Sequence, residues 1–439
     1  LHQDVHSFPT RRSSDLIDFD DSHLQVMFDQ CKALIIGLQK RGAVVGSSLN
    51  TAYLLERLSQ TLERLETLMA IFVSNRYLPR RILLLTGCFA RAAAERHSIS
   101  RLWKQSSGLI ARSVTQNAGD HGEHYITRDK KEYWAMFYSA AGGGVLIALM
   151  ALFKTYLGSI IDDKVWKGLA EGLNYGFGFM VIFMLHFTVA TKQPAMTAAR
   201  FAEAVEKNPQ GKTLNMKLAQ LLVDVFRSQS VAVLGNVVVA MGLAALIAFV
   251  YQHQTGEPLM NSENIAYQLH RIDPLDGSLW FAAIAGVWLF CSGIISGYFD
   301  NRSNYLNMRM RLAQHPLLKK LMSEKSRVKF ANYMHENYGS LIGNFCFGML
   351  LGLTGLVGYL THLPLDIRHV AFSSANLGYS AVSGQFAYPF FLQCIAFVLL
   401  IGLVNLIVSF SLTLWVALRS LNTEIDSWWA IWHEVCQIV

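Results

Sequence analysis

Six long apolar runs dominate the pattern of hydrophobic and polar positions along the chain. Each has 19 or more residues, close to or above the roughly 20 that a membrane-spanning helix needs. None contains an internal Lys, Arg, Asp or Glu. They lie near residues 135–153, 173–191, 231–250, 279–299, 341–360 and 387–415. The pattern therefore predicts an all-α fold class, a six-span helical membrane bundle.

The segment before the first run has the period of amphipathic helices. Leu58, Leu62 and Leu65 recur at three- and four-residue steps, which predicts a cytoplasmic helical domain over 17–130 with the leucines packed in its core. The membrane domain then covers 131–439. Residues 1–16 have neither helical periodicity nor the apolar core of a signal peptide. We expect them to be a non-native, adapter-like tail, with the native N-terminus missing.

Composition and charge agree with a membrane protein and indicate its orientation. The chain is 52% hydrophobic and 16% charged, below the roughly 25% charge of ordinary soluble domains. With six spans, 31 Lys and Arg residues fall on the side of the termini and 5 on the other side. Because cytoplasmic segments hold the excess of positive charge, the pattern predicts a multi-pass protein of the bacterial inner (cytoplasmic) membrane with N- and C-termini in the cytoplasm.

Two long loops on the same side, 192–230 and 300–340, are predicted to be helical. Each returns to the membrane through a Gly-Asn pair, and the asparagines, Asn236 and Asn344, are 108 residues apart. This offset suggests that one membrane hairpin occurs twice, an arrangement found in transporters. The loop 300–340 carries a net charge of +5, for which anionic lipid headgroups are the expected partner and nucleic acid the alternative.

Polar side chains inside the apolar runs need partners, because hydrocarbon offers them none. They are Asn174, His186, Asn236, Asn344 and Asn405. We interpret the asparagines first as interhelical hydrogen-bonding groups and second as parts of a solute path. No Asp, Glu, Lys or Arg falls inside a predicted span and His186 is the one candidate for proton coupling, which disfavours a proton-coupled pump.

No complete catalytic motif is present. Phosphate-binding loops, dinucleotide fingerprints, zinc-protease pairs and the nucleophile elbow of hydrolases are all absent, so no cofactor is expected. The six cysteines form no CxxC pair, so they are expected to be reduced thiols and no metal site is predicted.

The run HFTVATKQPAMTAARFA, with His186, Thr191, Lys192, Gln193 and Pro194, resembles a bacterial membrane protein family labelled site-specific recombinase, of the gonococcal type. The resemblance extends from about residue 20 to the end. It implies a multi-pass inner-membrane protein, and its label implies DNA strand exchange.

Strand exchange by the tyrosine route needs a nucleophilic Tyr among basic groups that stabilise the phosphate oxygens. If the label is literal, the candidate catalytic residues are Tyr305, Arg302, Arg309, Arg311, Tyr338 and His335. A 41-residue loop anchored at both ends is too small to enclose a DNA duplex. The residues therefore favour a non-enzymatic membrane scaffold that binds an unknown protein partner. The alternatives are a transporter or channel built on the duplicated hairpin, and the recombination that the label states.

Overall fold

The computed structural model describes residues 22–45, 49–73, 78–95, 130–189, 212–420 and 428–438. The chain divides into two compact units, Leu1–Leu109 and Ile110–Val439. In the described ranges every regular element is a helix, so the all-α prediction is confirmed.

The first unit contains three described helices, α1 (Ser22–Val45), α2 (Leu49–Val73) and α3 (Leu78–Glu95). Helix α2 packs against both neighbours, and the Lys32 ammonium pairs with the Glu66 carboxylate at 2.7 Å. The predicted leucine core is wrong for part of the stripe, since Leu58 and Leu65 are 51% and 48% exposed. Burying them requires a surface that the described helices of this unit do not provide.

The second unit is a bundle of long and short helices. Its elements are α4 (Lys130–Ile160), α5 (Lys164–Met184), α6 (Lys212–Thr255), α7 (Ser262–Ile272), α8 (Ser278–Tyr305), α9 (Met308–Gln314), α10 (Pro316–Leu321), α11 (Glu324–Thr361), α12 (Val370–Ser383), α13 (Tyr388–Ser420) and α14 (Trp428–Ile438). The most extensive helix pairs are α5 with α11, α4 with α6, α6 with α12, and α8 with α11.

Five helices are long and apolar enough to cross a membrane: α4, α8 and α11 entire, Leu218–Thr255 of α6, and Tyr388–Val416 of α13. They correspond to five of the six predicted spans. The remaining prediction, a continuous span over 173–191, is wrong in its bounds, because α5 starts at Lys164 and ends at Met184. His186 then adopts a left-handed backbone conformation (φ 58°).

Tertiary hydrogen bonds replace helical ones in the segment after Met184. The Thr188 backbone N–H donates to the Ser139 carbonyl at 3.1 Å, and the Ser139 and Thr188 hydroxyl groups lie 2.9 Å apart. Glycine on α4 makes this close approach possible, since a Cβ on Gly143 would lie 2.5 Å from the Thr188 carbonyl oxygen. The apolar pattern, which continues to Thr191, carries no sign of this break.

The segment 361–386, which the sequence pattern left as a connection between spans, contains a buried helix. Ten of the 14 residues of α12 are buried, and the helix packs against α4, α6, α7 and α13. At 1.5 Å per residue it is about 21 Å long, shorter than the roughly 30 Å of membrane hydrocarbon. Tyr379 anchors it by donating from its hydroxyl group to the Ala148 carbonyl on α4 at 3.0 Å.

Helical structure extends beyond the spans into both predicted loops. Helix α6 begins at Lys212, so the second half of the 192–230 loop continues directly into the membrane helix. The 300–340 loop is formed by the end of α8, by α9 and α10, and by the first turns of α11, which agrees with its predicted helical character. Helix α14 packs on α6 and buries Ile431 beside Leu218 and Leu414.

Candidate functional site

A cavity of about 1180 Å³ lies among α4, α5, α6, α7 and α11. The connections between α6 and α7 and between α11 and α12, together with one residue of α12, Asn376, complete its wall. Its volume slightly exceeds the roughly 300–1,000 Å³ that is usual for small-molecule sites. Six ionisable Lys, Arg, Asp and Glu side chains line it: Lys154, Lys164, Lys167, Glu171, Arg271 and Asp366.

An ion pair joins α4 and α5 at the cavity wall. The Lys154 Nζ atom lies 3.0 Å from a carboxylate oxygen of Glu171, and the two side chains are only 25% and 14% exposed. The tight turn at 161–163 makes the two helices antiparallel neighbours, and Asp163 caps α5 by accepting from the backbone N–H groups of Val165 and Trp166. The Lys154 ammonium also lies 5.5 Å from the centre of the Tyr175 ring, a favourable cation–π distance.

A second charged cluster consists of one carboxylate and two guanidinium groups. Arg368 donates from Nη1 to Asp366 Oδ2 at 2.6 Å, whereas the nearest Arg271 nitrogen lies 3.5 Å from Asp366 Oδ1. Arg271 also donates to the Tyr267 hydroxyl at 2.9 Å and to the Ile367 carbonyl at 3.2 Å. Arg368 is 8% exposed and Arg271 14%, so Asp366 is shared by two largely buried cations.

The charge of this cluster is fixed over the physiological pH range. Burial by itself raises the pKa of the Asp366 carboxyl, but the neighbouring guanidinium groups of Arg271 and Arg368 outweigh it and lower the pKa to about 2. Asp366 is therefore ionised, and the three side chains together carry one positive charge.

Two buried asparagines hold the non-helical backbone of the bundle. Asn236 on α6 donates from its amide to the carbonyl groups of Ala140 and Thr188. Asn405 on α13 donates to the carbonyls of Ala282 and Arg368 at 2.7 and 3.0 Å and accepts from the Val370 backbone N–H at 3.1 Å. Each asparagine thus joins a neighbouring helix to an unwound segment.

The other predicted intramembrane amides bond differently. Asn174 donates across the helix pair to the Met150 carbonyl at 3.0 Å. Asn344, by contrast, donates to Ser340 one turn earlier in its own helix, at 2.7 Å. Asn405 therefore has the same hydrogen-bonding pattern as Asn236. Asn344, the residue that the 108-residue offset pairs with Asn236, does not.

Of the motif residues that carry the family resemblance, the structure describes His186. Its backbone carbonyl accepts from the Ser139 hydroxyl at 3.0 Å, at the point where α5 has ended. Thr191, Lys192, Gln193 and Pro194 lie outside the described residues.

The candidate strand-exchange residues lie around the end of α8 and the start of α11. Arg302 donates to the Tyr298 hydroxyl at 3.4 Å, and the His335 Nδ1 atom lies 3.1 Å from the Ser303 hydroxyl. Tyr338 packs edge-on against Phe299. Tyr305, the last residue of α8, is 54% exposed. Among the described hydrogen bonds, none joins Tyr305 to Arg302, or to the α9 residues Arg309 and Arg311.

Sequence reasoning missed the charged cavity. Lys154 and Glu171 fall immediately outside the predicted spans 135–153 and 173–191, whereas α4 and α5 extend past these limits and bury both side chains. A helical pattern that continues from Lys154 to Ile160 was a usable signal. No local signal reveals that Arg271 meets Asp366, because 95 residues separate them. In the part of the chain that the structure describes, no three His, Cys, Asp or Glu side chains are grouped as a metal site.

A family model described as "Site-specific recombinase" matches residues 1–439. No curated protein and no solved structure matches the chain significantly.

Proposed function

We propose that this chain, which belongs to the site-specific recombinase family, binds a polar solute in the charged cavity and carries it across the bacterial inner membrane. The observation that carries the proposal is the pair of buried charged clusters on the wall of a cavity bounded by helices of membrane-crossing length. Largely buried ionisable side chains are costly to desolvate, and clusters of them on the wall of a cavity are typical of substrate-binding sites.

Discontinuous helices support this proposal. Helix α5 stops at Met184 and an unwound segment follows it, while the short helix α12 is buried inside the bundle. Many transporters place their substrate among interrupted helices, because unwound backbone provides unpaired polar groups and points at which helices bend. Of the two interruptions in this chain, the segment before α12 lines the cavity through Leu365, Asp366 and Ile367 and is held by Asn405. The residues described after Met184 do not line the cavity.

The positive-inside rule orients the proposed carrier. The turns that border the cavity, at 161–163 and 256–261, belong to the side with few Lys and Arg residues. The cavity would then open to the periplasm, with both termini and the basic 300–340 loop at the cytoplasmic surface, where anionic lipid headgroups are its expected partner. The scaffold function and its protein partner stay predictions.

The test is uptake into proteoliposomes. The purified chain is reconstituted, incubated with an isotope-labelled extract of small bacterial metabolites, and the accumulated compounds are identified by mass spectrometry. The double variant Lys154→Gln with Glu171→Gln removes both charges and leaves no unpaired ion, and Lys319→Gln removes an exposed charge on α10 as the matched control.

We expect at least one compound to accumulate with the wild-type chain and with Lys319→Gln, and its uptake to fall at least tenfold in the double variant. Uptake by the wild-type chain that equals uptake by empty liposomes for every compound would overturn the proposal. So would equal uptake by the double variant at equal reconstituted amounts.

The family description favours a second candidate function, DNA strand exchange. By the tyrosine route, it requires a covalent link between a tyrosine and a DNA phosphate. Incubation of the detergent-solubilised chain with DNA, followed by denaturing electrophoresis, tests for such an adduct. An adduct that Tyr305→Phe or Tyr338→Phe abolishes would establish this function, and its absence at low and high salt would remove it.

A further inference from the structure

The two charged clusters of the cavity differ in their charge balance. Lys154 and Glu171 form a one-to-one pair, which leaves no net charge. Arg271 and Arg368 share the single carboxylate of Asp366, which leaves one positive charge. Lys164 and Lys167 line the same cavity, so its wall carries an excess of cations. A largely buried cation without its own counter-ion is costly unless an anion joins it.

Arg271 is the cation of this cluster that an anion can reach. Arg368 does not line the cavity, and its short 2.6 Å bond holds the Asp366 carboxylate. Arg271 lines the cavity, and its longer 3.5 Å contact with Asp366 is the weaker of the two. Its Nη1 atom donates to the Tyr267 hydroxyl at 2.9 Å, and no carboxylate among the described residues bonds this atom. A planar guanidinium in this position suits an oxyanion, which it can bind through two parallel hydrogen bonds.

The rest of the wall suits an organic molecule rather than a bare inorganic ion. Four tyrosines, Tyr156, Tyr251, Tyr267 and Tyr359, line the cavity together with several leucines. Its volume of about 1180 Å³ is far larger than a phosphate or a sulfate ion needs. Apolar and aromatic walls with a few charged groups are typical of sites that fix one polar end of an organic ligand.

From the charge balance and the cavity wall we infer that the cavity binds an organic oxyanion, a carboxylate or a phosphate ester, with Arg271 as its main contact. This inference rests on the proposed carrier function for the identity of the site, but it concerns binding and can be tested without transport. A soluble organic acid and the phosphate of a lipid headgroup share this chemistry, so the test separates them.

The experiment measures thermal unfolding of the full chain by tryptophan fluorescence. In neutral detergent at constant ionic strength the probes are succinate, glycerol 3-phosphate and, as a cation of similar size, putrescine. A parallel arm uses nanodiscs of phosphatidylcholine with or without phosphatidylglycerol. The variants are Arg271→Gln, Arg271→Lys and the surface control Lys319→Gln.

We expect succinate or glycerol 3-phosphate, but not putrescine, to raise the unfolding temperature of the wild-type chain and of Lys319→Gln. The apparent dissociation constant should rise at least tenfold in Arg271→Gln and less in Arg271→Lys, which keeps the charge but not the planar fork. If the soluble anions have no effect and phosphatidylglycerol stabilises the wild-type chain but not Arg271→Gln, the oxyanion is that of a lipid.

Stabilisation by putrescine alone would overturn the inference, as would anion effects that are equal in the wild-type chain and in Arg271→Gln. If Arg271→Gln does not fold, Arg271→Lys decides, because unchanged anion affinity in that variant would also overturn it. Anion binding without any uptake in proteoliposomes would refute the carrier function alone, whereas uptake restricted to cations would refute the oxyanion and leave the carrier.

Discussion

Replacement of Asn405 by alanine should destabilise the membrane domain far more than the same replacement at Asn344. Both side chains are buried, at 0% and 5% exposure, and both variants lose the same atoms. Asn405, however, bonds three backbone groups on two other segments. Asn344 bonds one carbonyl, that of Ser340 in its own helix, and this group already accepts a helical hydrogen bond.

The magnitude follows from the groups that lose their partner. Ala282 lies inside α8 and keeps its helical bond, but the Val370 N–H belongs to the first turn of α12 and the Arg368 carbonyl to a non-helical segment. A buried backbone group without a partner costs about 1–3 kcal/mol. Since the unfolded state in a membrane also finds partners, we expect a loss of about 2–4 kcal/mol for Asn405→Ala and about 1 kcal/mol or less for Asn344→Ala.

The assay is reversible unfolding of the purified chain in mixed micelles by titration with dodecyl sulfate, followed by tryptophan fluorescence. Wild type and the two variants are compared at equal detergent concentration. If the free energies of unfolding of the two variants agree within about 0.5 kcal/mol, the clamp assigned to Asn405 is refuted, because the expected difference is about 1 kcal/mol or more.

Three further predictions concern the charged cavity and the glycine contacts. As the pH falls from about 4 to 2, the free energy of unfolding of the wild-type chain should fall by about 2 kcal/mol because the Asp366 carboxylate is protonated; its pKa is about 2 in the folded chain and 3.8 ordinarily. In pH-dependent thermal unfolding, Asp366→Asn should lack this loss. A pH profile identical to that of the wild-type chain would contradict the prediction. Gly352→Ala should lower the free energy of unfolding by about 1–3 kcal/mol because its Cβ would lie 2.3 Å from the backbone of α5. Gly242→Ala, whose Cβ would have nothing within 4 Å, should be neutral or slightly stabilising. Equal unfolding temperatures of the two variants would count against the packing argument. Lys154→Gln should lower the free energy of unfolding by about 3 kcal/mol or more because it leaves the Glu171 carboxylate buried without its cation. In the same assay, adding Glu171→Gln should restore much of this loss. No recovery in the double variant would show that the ion pair is not the cause.

The sequence by itself determined the helical class, the positions of five membrane-length helices and the family. These follow from local properties, because a run of 20 apolar residues can hide its backbone polar groups only as a helix. The motif beginning at His186 also sufficed to suggest the family that matches the whole chain.

Only the tertiary structure decided where helices end inside apolar sequence and which charged residues meet. The break after Met184 depends on bonds from Ser139 and Asn236, which lie 47 to 49 residues from their partners along the chain and offer the backbone an alternative to its helical partners. Likewise, the burial of Lys154 and Glu171 depends on the extension of α4 and α5 past their apolar runs. The cluster of Arg271 with Asp366 depends on the packing of α7 against the segment before α12. Such contacts join distant parts of the chain, and their energies depend on desolvation and on partners that no local pattern contains.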